Sequence, residues 1–510
     1  MIRIANLTCP LPRVLDLTAV EVDSYWQELT ELGLRQVYGT HPVRGPMECQ
    51  YGTSIEIPRA MADYLTGALR AVDRYVKEAI DACGGLESWM RGREPSFAGA
   101  PIRSKPAHDP FSTPWASGRI AGEGEGLLPM SVDFIVCEGQ DGPSLSVVEL
   151  QSGYDYLDIL WRQHAALGRG RWSPRTWHGA IAPNEAIANL LIGRGRESSI
   201  SVLGNFPSTT GNLIDEAGWA AALSDDGTAR GFLLATDLRR DDQGWYHEEY
   251  ELNPVTGLPR LDSADQPMRE SPPRMRRIDS VVTMQTQKEL DEIYVRLEPQ
   301  QRELFAEFVA DTESIDWLLP LEDWYVADKS LLPNLHHWLA DAASPYAEAF
   351  IPAFGSPEIV TGPGAFVRKP IRGVGGADIT QIELGVGERC EVPDGWILQQ
   401  HIEPYEFPLA LPNELAGAFL PPSTSPSDSR KTTGTVEIRV SCVPGSTTDA
   451  DSYVFLARVA PTWDPIDGRH GRHVLTNQAH LQRALWNSPS VSEANHRYAP
   501  FGWFAVTVGS

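Results

Sequence analysis

The sequence predicts an α+β protein built from several lobes. Apolar residues recur at three- and four-residue spacing over residues 19–36 and 60–90, a pattern typical of amphipathic helices, with a break at residues 84–85. Residues 132–136 and 145–150 are rich in β-branched and apolar side chains and flank a Gly- and Pro-containing turn, which predicts a β-hairpin. No regular alternation of strands and helices follows, so a doubly wound parallel sheet is not expected.

The remaining segments are predicted from the same patterns. We expect strands at residues 200–203, 231–235, 366–369, 395–400, 435–443 and 453–460, one helix at 287–311, and loops at 96–129, 239–277 and 421–433. The predicted organisation is a helical N-terminal region (residues 1–128) packed on the body, a hairpin and central α/β lobe (129–325), and a third lobe (326–510).

The composition excludes several classes of partner. The chain has 68 Asp and Glu against 43 Lys and Arg, a formal charge of −25, whereas nucleic acids and anionic membranes select clustered basic residues. Residues 1–6 lack the basic start of a secretory signal, and no apolar run reaches the roughly 18 residues of a membrane span. The 6 cysteines form no C-x-x-C pair, which indicates reduced thiols. We therefore expect a cytoplasmic protein with no nucleic acid or membrane partner.

Two lysines mark a candidate phosphate site. Lys369 ends a predicted strand and is followed by Gly373, Gly375 and Gly376, and Lys329 opens a predicted helix earlier in the chain. A glycine-rich loop can present backbone N–H groups to phosphates while an ammonium supplies charge. Taken alone, the loop is explained at least as well by a surface lysine beside a flexible turn, and the order is not that of a Walker A loop.

Acidic and basic residues on predicted strands complete the set. Glu149 and Gln151 share one strand face because side chains alternate, and Asp133 lies on the partner strand of the same hairpin. Three oxygen donors meeting at one point would suit Mg²⁺. Arg439 and Arg458 lie on the strands of a second predicted hairpin, which follows a strand and polar linker at residues 395–404.

This ordered series resembles the ATP-grasp ligases, in the circularly permuted order of the glutathionylspermidine synthase type. There the sequence runs Asp…Glu-x-Asn, then Asn-Lys-x-x-Leu-Pro, then Lys-Pro-x-x-Gly-x-x-Gly. Here it runs Asp133 with residues 149–151 (ELQ), then 328–333 (DKSLLP), then 369–376 (KPIRGVGG). The resemblance covers roughly residues 130 to 480 and implies a permuted ATP-grasp fold using ATP and Mg²⁺.

The resemblance also implies a role for each site residue. By this comparison the nucleotide phosphates are held by Lys329, Lys369 and the three loop glycines, and adenine is bound by the backbone of Gln400, His401 and Ile402. Mg²⁺ is held by Asp133, Glu149 and Gln151. The reacting acylphosphate is stabilised by Arg439 and Arg458. The implied activity is ADP-forming amide bond formation between a small carboxylate and an amine.

The sequence departs from that family at two positions. Gln151 stands where the family has Asn, and Ser131 stands where it has a phosphate-facing arginine, so another arginine such as Arg119, Arg372 or Arg458 would have to supply that charge. No Cys/His amidase segment precedes the ligase region. A second interpretation therefore stays open, a nucleotide-binding regulatory protein of the same fold without turnover. The substrates are not readable from sequence, and a homodimer is only the default expectation for an oligomeric state.

Overall fold

The structure is a computed structural model of the 510-residue chain. It describes residues 1–4, 7–16, 53–84, 96–97, 100–101, 130–139, 141–152, 200–204, 231–251, 260, 262, 268–283, 287–311, 314–317, 328–371, 379–409, 432–442, 453–461, 463–464, 469–470 and 502–509. The helix predicted at residues 19–36 lies outside these ranges, as do residues 98–99 and 102–129 of one predicted loop and residues 421–431 of another.

The described residues form short strands and few helices. Strands β1 to β27 are Ile2–Ile4, Leu7–Cys9, Arg13–Asp16, Thr53–Pro58, Ser96–Phe97, Ala100–Pro101, Met130–Gly139, Gly142–Ser152, Ile200–Leu203, Gly231–Leu233, Arg239–Asp241, Gly244–Glu248, Met275–Ile278, Ser280–Thr283, Asp316–Trp317, Ala353–Gly355, Ile359–Thr361, Gly364–Pro370, Thr380–Leu384, Arg389–Glu391, Trp396–Gln400, Phe407–Leu409, Thr432–Cys442, Tyr453–Pro461, Trp463–Asp464, Arg469–His470 and Gly502–Gly509. Helices α1 to α4 are Arg59–Ala82, Gln287–Arg296, Pro299–Ala310 and Leu332–Asp341, and 3-10 turns cover Ala235–Asp237, Lys329–Leu331 and Ala347–Ala349. This composition is α+β, as predicted.

An eight-stranded sheet carries most of the site. Its order is β3-β4-β27-β24-β23-β7-β8, with β22 pairing on β23, and every pairing is antiparallel except that of β27 with β4. The predicted hairpin is β7 and β8, and the predicted arginine hairpin is β23 and β24. The N-terminal region therefore contributes strands to this sheet as well as a helix.

Helix α1 covers part of that sheet. Its apolar side recurs at helical spacing through Met61, Leu65, Leu69, Val72 and Val76, all of which are buried in one core with β7 and β23. The helix begins after an extended proline and ends before a glycine with φ of 86°, a backbone conformation that strongly favours glycine. The predicted helix and its stop are thus confirmed within the described part of that segment.

A smaller four-stranded sheet carries Lys369. Its order is β16-β21-β18-β19, and it packs a separate apolar cluster of Val360, Phe366, Val392 and Leu398. The segment after β21 then runs beside the end of β7, where Tyr405 N donates to Val136 O at 2.9 Å. The predicted strand and polar linker are therefore present, and the linker joins the small sheet to the large one.

Residues 239–277 were predicted as a surface loop, and that prediction is wrong. They contain β11, β12 and part of β13, which form a three-stranded antiparallel sheet. In β12 the side chains alternate between half-buried and buried, with Trp245 and His247 pointing into the core. The polar, proline-rich composition of the whole segment concealed strands only three to five residues long.

The single helix predicted at residues 287–311 is also wrong, because the structure has two. α2 ends at Arg296 and α3 begins at Pro299. The residue before a proline is driven out of the helical region by contact with the proline ring. Glu298 accordingly has ψ of 152°, which is extended, and the chain turns between the helices.

The predicted domain boundaries stay predictions. Residues 200–317 supply a parallel sheet of order β10-β9-β14-β15, which shares a core with the three-stranded sheet and with α2 and α3.

In the described part of the chain, no helix combines the length and apolar character needed to cross a membrane.

Candidate functional site

Predicted site residues from separate parts of the chain meet on one face of the large sheet. Asp133, on β7, lies directly opposite Glu149 of β8 on one side and Arg439 of β23 on the other. Directly opposed residues of antiparallel strands project from the same face with their Cβ atoms about 5 Å apart. The pairing register thus brings the three side chains together, and Lys329 and Lys369 reach the same place from outside the sheet.

Arg439 and Asp133 form a bidentate ion pair. Arg439 Nε donates to Asp133 Oδ1 and Nη2 donates to Oδ2, both at 2.7 Å. Both side chains are buried. Burial alone would lower the pKa of the guanidinium, but Asp133, with smaller contributions from Glu437 and Glu149, raises it overall. The arginine is therefore permanently charged and held in one orientation.

Lys329 is positioned by the start of a helix. Asp328 accepts a hydrogen bond from Ser330 N at 2.9 Å and caps the 3-10 turn that leads into α4. Lys329 Nζ then lies 2.6 Å from Glu149 Oε1. Burial would raise the pKa of Glu149, but Lys329, with Lys369 and Arg439, lowers it overall. Glu149 is therefore an ionised carboxylate. Its side chain is 26% exposed and that of Asp133 is 1% exposed, so Glu149 is the more accessible of these two acids.

Lys369 reaches the hairpin through a β-bulge. Asp133 pairs with Glu149, but the next residue, Phe134, pairs with Val147, which leaves Val148 as an extra residue in β8. A bulge frees backbone groups from the strand ladder, and Lys369 Nζ donates to Val148 O at 2.7 Å. Burial, reinforced by Lys329 and opposed by the nearby carboxylates, lowers the pKa of Lys369 to about 8.

Gln399 is a site residue that the sequence reasoning missed. Its Oε1 accepts from Lys369 Nζ at 2.8 Å, and its Nε2 donates to Val147 O at 3.0 Å. The residue is 2% exposed and lies on β21, beside β18. In the sequence, the sign of this role is a glutamine among the apolar residues of a predicted strand. A buried amide side chain is normally hydrogen-bonded, so a glutamine at such a position indicates a partner inside the protein.

Glu437 adds a further buried carboxylate beside the arginine. It lies two residues before Arg439 on the same face of β23, and its charge raises the pKa of both Arg439 and Lys369. Arg458 is opposite Glu437 in the β23–β24 register, and Gln151 is two residues beyond Glu149 on β8. The side chains of Arg458 and Gln151 lie outside the described part of the structure. Ser131 is buried and opposite Gln151.

The predicted adenine-binding backbone is partly engaged within the protein. Gln400 N donates to Pro352 O at 2.9 Å and His401 N donates to Ala365 O at 2.8 Å. The N–H groups of Gln400 and His401 are therefore hydrogen-bonded within the protein, and adenine binding by the backbone of Gln400, His401 and Ile402 stays a prediction. The loop containing Gly373, Gly375 and Gly376 lies outside the described residues, as do Arg119 and Arg372.

The predicted metal ligands have suitable chemistry but share their oxygens with cations. Carboxylate oxygens are the hard donors that Mg²⁺ prefers, and each has a second lone pair beyond the one used by Arg439 or Lys329. Within the described residues, no three His, Cys, Asp or Glu side chains group as a metal site. Asp133 and Glu149 are two of the predicted metal ligands, and the third is Gln151. The donor set therefore fits Mg²⁺ by ligand type, and the metal site stays a prediction.

Comparison with known proteins adds a distant similarity. No protein-family model matches the sequence, and no curated protein matches it. Among solved structures, a glutathione synthetase-like effector from Globodera pallida, in apo form, is similar with a TM-score of 0.40 and 11% identity, over 89% of this chain and 92% of that chain. A similarity of this degree defines neither the fold family nor the activity of the chain.

Proposed function

We propose that the protein is an ATP-dependent carboxylate–amine ligase of the circularly permuted ATP-grasp type. One observation supports this above the others. Residues chosen from separate sequence motifs, Lys329, Lys369, Arg439, Asp133 and Glu149, lie in one charged cluster held by the contacts described above. Buried charge of both signs at one place is expensive to desolvate, and such clusters concentrate at functional sites.

The lysines are the proposed phosphate ligands. Lys329 is paired with Glu149, so a nucleotide phosphate would compete with that carboxylate for the ammonium. Glu149, once released from Lys329, would then hold the magnesium ion together with Asp133 and Gln151. Bound Mg²⁺ supplies charge neutralisation on the phosphate oxygens and orients them. Nucleotide and metal should therefore each favour binding of the other.

The arginines are the proposed stabilisers of charge on the reacting groups. A carboxylate oxygen of the substrate attacks the γ-phosphorus of ATP, which forms an acylphosphate and releases ADP. An amine nitrogen then attacks the acyl carbon, and the amide forms with release of phosphate and of the proton from the nitrogen. Arg439 donates two hydrogen bonds to Asp133, which fix the orientation of its guanidinium, so its positive charge needs little reorganisation to stabilise an oxyanion. Arg458 is assigned beside it from the strand register.

A second candidate function is a nucleotide-binding regulatory protein without turnover. The observation that favours it is that Arg439 uses both oxygens of Asp133. If this pair keeps both oxygens of Asp133 from the metal when nucleotide binds, Asp133 is only a structural partner of the arginine, and the metal would lack one of its predicted ligands.

The test is ADP release with Mg²⁺, ATP and a panel of amino acids paired with amines, followed by mass measurement of products. The ligase proposal expects ADP only when a carboxylate and an amine are both present. Lys369→Met should weaken ATP binding at least about tenfold by removing a charge-assisted bond. Lys77→Met is the matched control, since Lys77 is on α1 and pairs with Asp73 at 2.7 Å. Binding of ATP without ADP release across the panel would favour the regulatory protein, and wild-type affinity in Lys369→Met would remove the phosphate assignment.

A further inference from the structure

The ammonium of Lys369 is held by neutral acceptors. Among the described residues its hydrogen-bond acceptors are Val148 O and Gln399 Oε1, at 2.7 and 2.8 Å. An ammonium carries three N–H donors, so the described residues leave one of them for a ligand. The charged groups that face it are Glu149 on β8, Lys329 before α4, Glu437 on β23 and Asp133 on β7.

The amide of Gln399 is fixed from both ends. Its Nε2 donates to Val147 O while its Oε1 accepts from Lys369, so the carbonyl end of the amide has to face the lysine. Both backbone acceptors, Val147 O and Val148 O, belong to the bulged part of β8. Gln399 and Lys369 are diagonal neighbours on β21 and β18, because Val367 is opposite Gln399 and Lys369 is opposite Ile397.

We propose that Gln399 is a positioning residue that orients the Lys369 ammonium, so that one N–H is kept available for an anionic ligand. A neutral acceptor suits this role. A carboxylate at residue 399 would hold the ammonium equally well, but its negative charge would compete with an incoming phosphate. An apolar residue of the same length would release the ammonium from β21 altogether. The identification of that anion as a nucleotide phosphate rests on the proposed function.

A purely structural role predicts a different result. The bond from Nε2 to Val147 O joins the small sheet to the large sheet, and a residue that only joined them would need the amide N–H alone. Gln399→Met and Gln399→Glu both lose that N–H. Glu keeps an oxygen for Lys369, however, and Met does not. The two variants therefore separate orientation of the lysine from attachment of the sheets.

The experiment is competitive acetylation of the full-length chain with acetic anhydride at pH 7.5, with Lys369 quantified against Lys77 by peptide mass spectrometry. We expect Lys369 in Gln399→Met to react at least about fivefold faster than in the wild type, because the amine is released and buried charge favours its neutral form. Gln399→Glu should react no faster than the wild type, since the carboxylate binds the ammonium and keeps it protonated. Equal changes in both variants, or no change in either, would overturn the proposal.

Nucleotide provides a separate readout. MgATP should protect Lys369 of the wild type from acetylation and should protect it less in Gln399→Glu. If MgATP protects no lysine in the wild type, the proposed function fails while the difference between the Met and Glu variants still decides the role of Gln399. If Gln399→Met does not fold, as judged by circular dichroism, Gln399→Glu alone decides: acetylation of its Lys369 faster than in the wild type contradicts the proposal.

Discussion

The candidate site and the described part of residues 200–317, referred to below as the lobe, both pair arginines with carboxylates, but they do so in different surroundings. In the site the side chains of Arg439 and Asp133 are 8% and 1% exposed. In the lobe the side chains of Arg260 and Glu251 are 56% and 39% exposed. Water and salt screen the second pair, whereas the first must be compensated by its own partners. An arginine–carboxylate pair should therefore contribute differently to stability in the two regions.

A buried histidine of the lobe has different partners from the buried ionisable groups of the site. The site keeps its buried groups charged by placing opposite charges against them. The lobe buries His247 in β12 with neutral partners: its Nδ1–H donates to Glu248 O at 2.9 Å, and Ser201 Oγ–H donates to its Nε2 at 3.3 Å. Burial is the main reason that the pKa of His247 falls to about 4. The comparison therefore predicts sensitivity to loss of a partner in the site and sensitivity to acid in the lobe.

The largest effect is expected from Arg439→Met. This change leaves Asp133 buried without its bidentate partner, and breaking a buried pair in this way costs about 3–5 kcal/mol. The free energy of unfolding should fall by that amount in urea titrations followed by circular dichroism. Because a chain of several lobes need not unfold in one step, the transition to compare is the one that includes the large sheet.

The double variant Arg439→Met, Asp133→Leu is the control. With both charges removed there is no uncompensated carboxylate, so at least half of the lost stability should return, although the predicted ligase activity should not. If the single variant loses less than about 1 kcal/mol, the pair behaves as a surface pair and the contrast between the two regions fails.

Acid should destabilise the lobe through His247. Its pKa is lower in the folded protein, about 4, than the ordinary 6.5, so the unfolded chain binds a proton that the folded lobe does not. Stability is therefore complete above about pH 6.5 and falls as the pH drops from 6.5 to 4, by about 3 kcal/mol in all. Thermal unfolding measured from pH 7.5 to 4.5 should show this loss.

The control is His247→Gln, which keeps polar atoms at the site but cannot titrate in this range. The other carboxylates titrate equally in both proteins, so the difference between the two stability curves isolates His247. That difference should narrow steadily as the pH falls below 6.5. Curves that run parallel over the whole range would mean that His247 is charged, or equally solvated, in both states.

Much of the candidate site could be predicted because its residues lie in short local patterns. Asp133 and Glu149 stand on the two strands of a recognisable hairpin, and Lys329 follows a capping aspartate at a helix start. The pairings themselves could not be predicted. The partner choice of Arg439 depends on β23 lying beside β7, since Asp133 is 306 residues away in sequence. Lys369 and Gln399 meet the large sheet at a bulge of β8 that no local pattern marks.

The fold was predictable to a similar degree and for similar reasons. The long hairpin of β7 and β8 has two runs of apolar and β-branched residues and a glycine turn, so its sequence defines it. The three-residue strand β11 is too short for alternation to be seen, and it is held by pairing with β12. The break between α2 and α3 was readable in principle, since Pro299 disfavours a helical residue before it.

The smallest effect is expected from Arg260→Ala in the lobe. Arg260 and Glu251 are joined by backbone hydrogen bonding as well as by their side chains, and Arg260 N donates to Glu251 O at 2.7 Å. Alanine keeps that backbone bond and removes only a solvent-exposed ion pair, which contributes at most about 1 kcal/mol. Thermal unfolding at low and at 0.5 M salt should show a small loss that salt abolishes. A loss that survives high salt would mean that the pair is shielded from water, and the difference between the two regions would then lie in the number of partners rather than in burial.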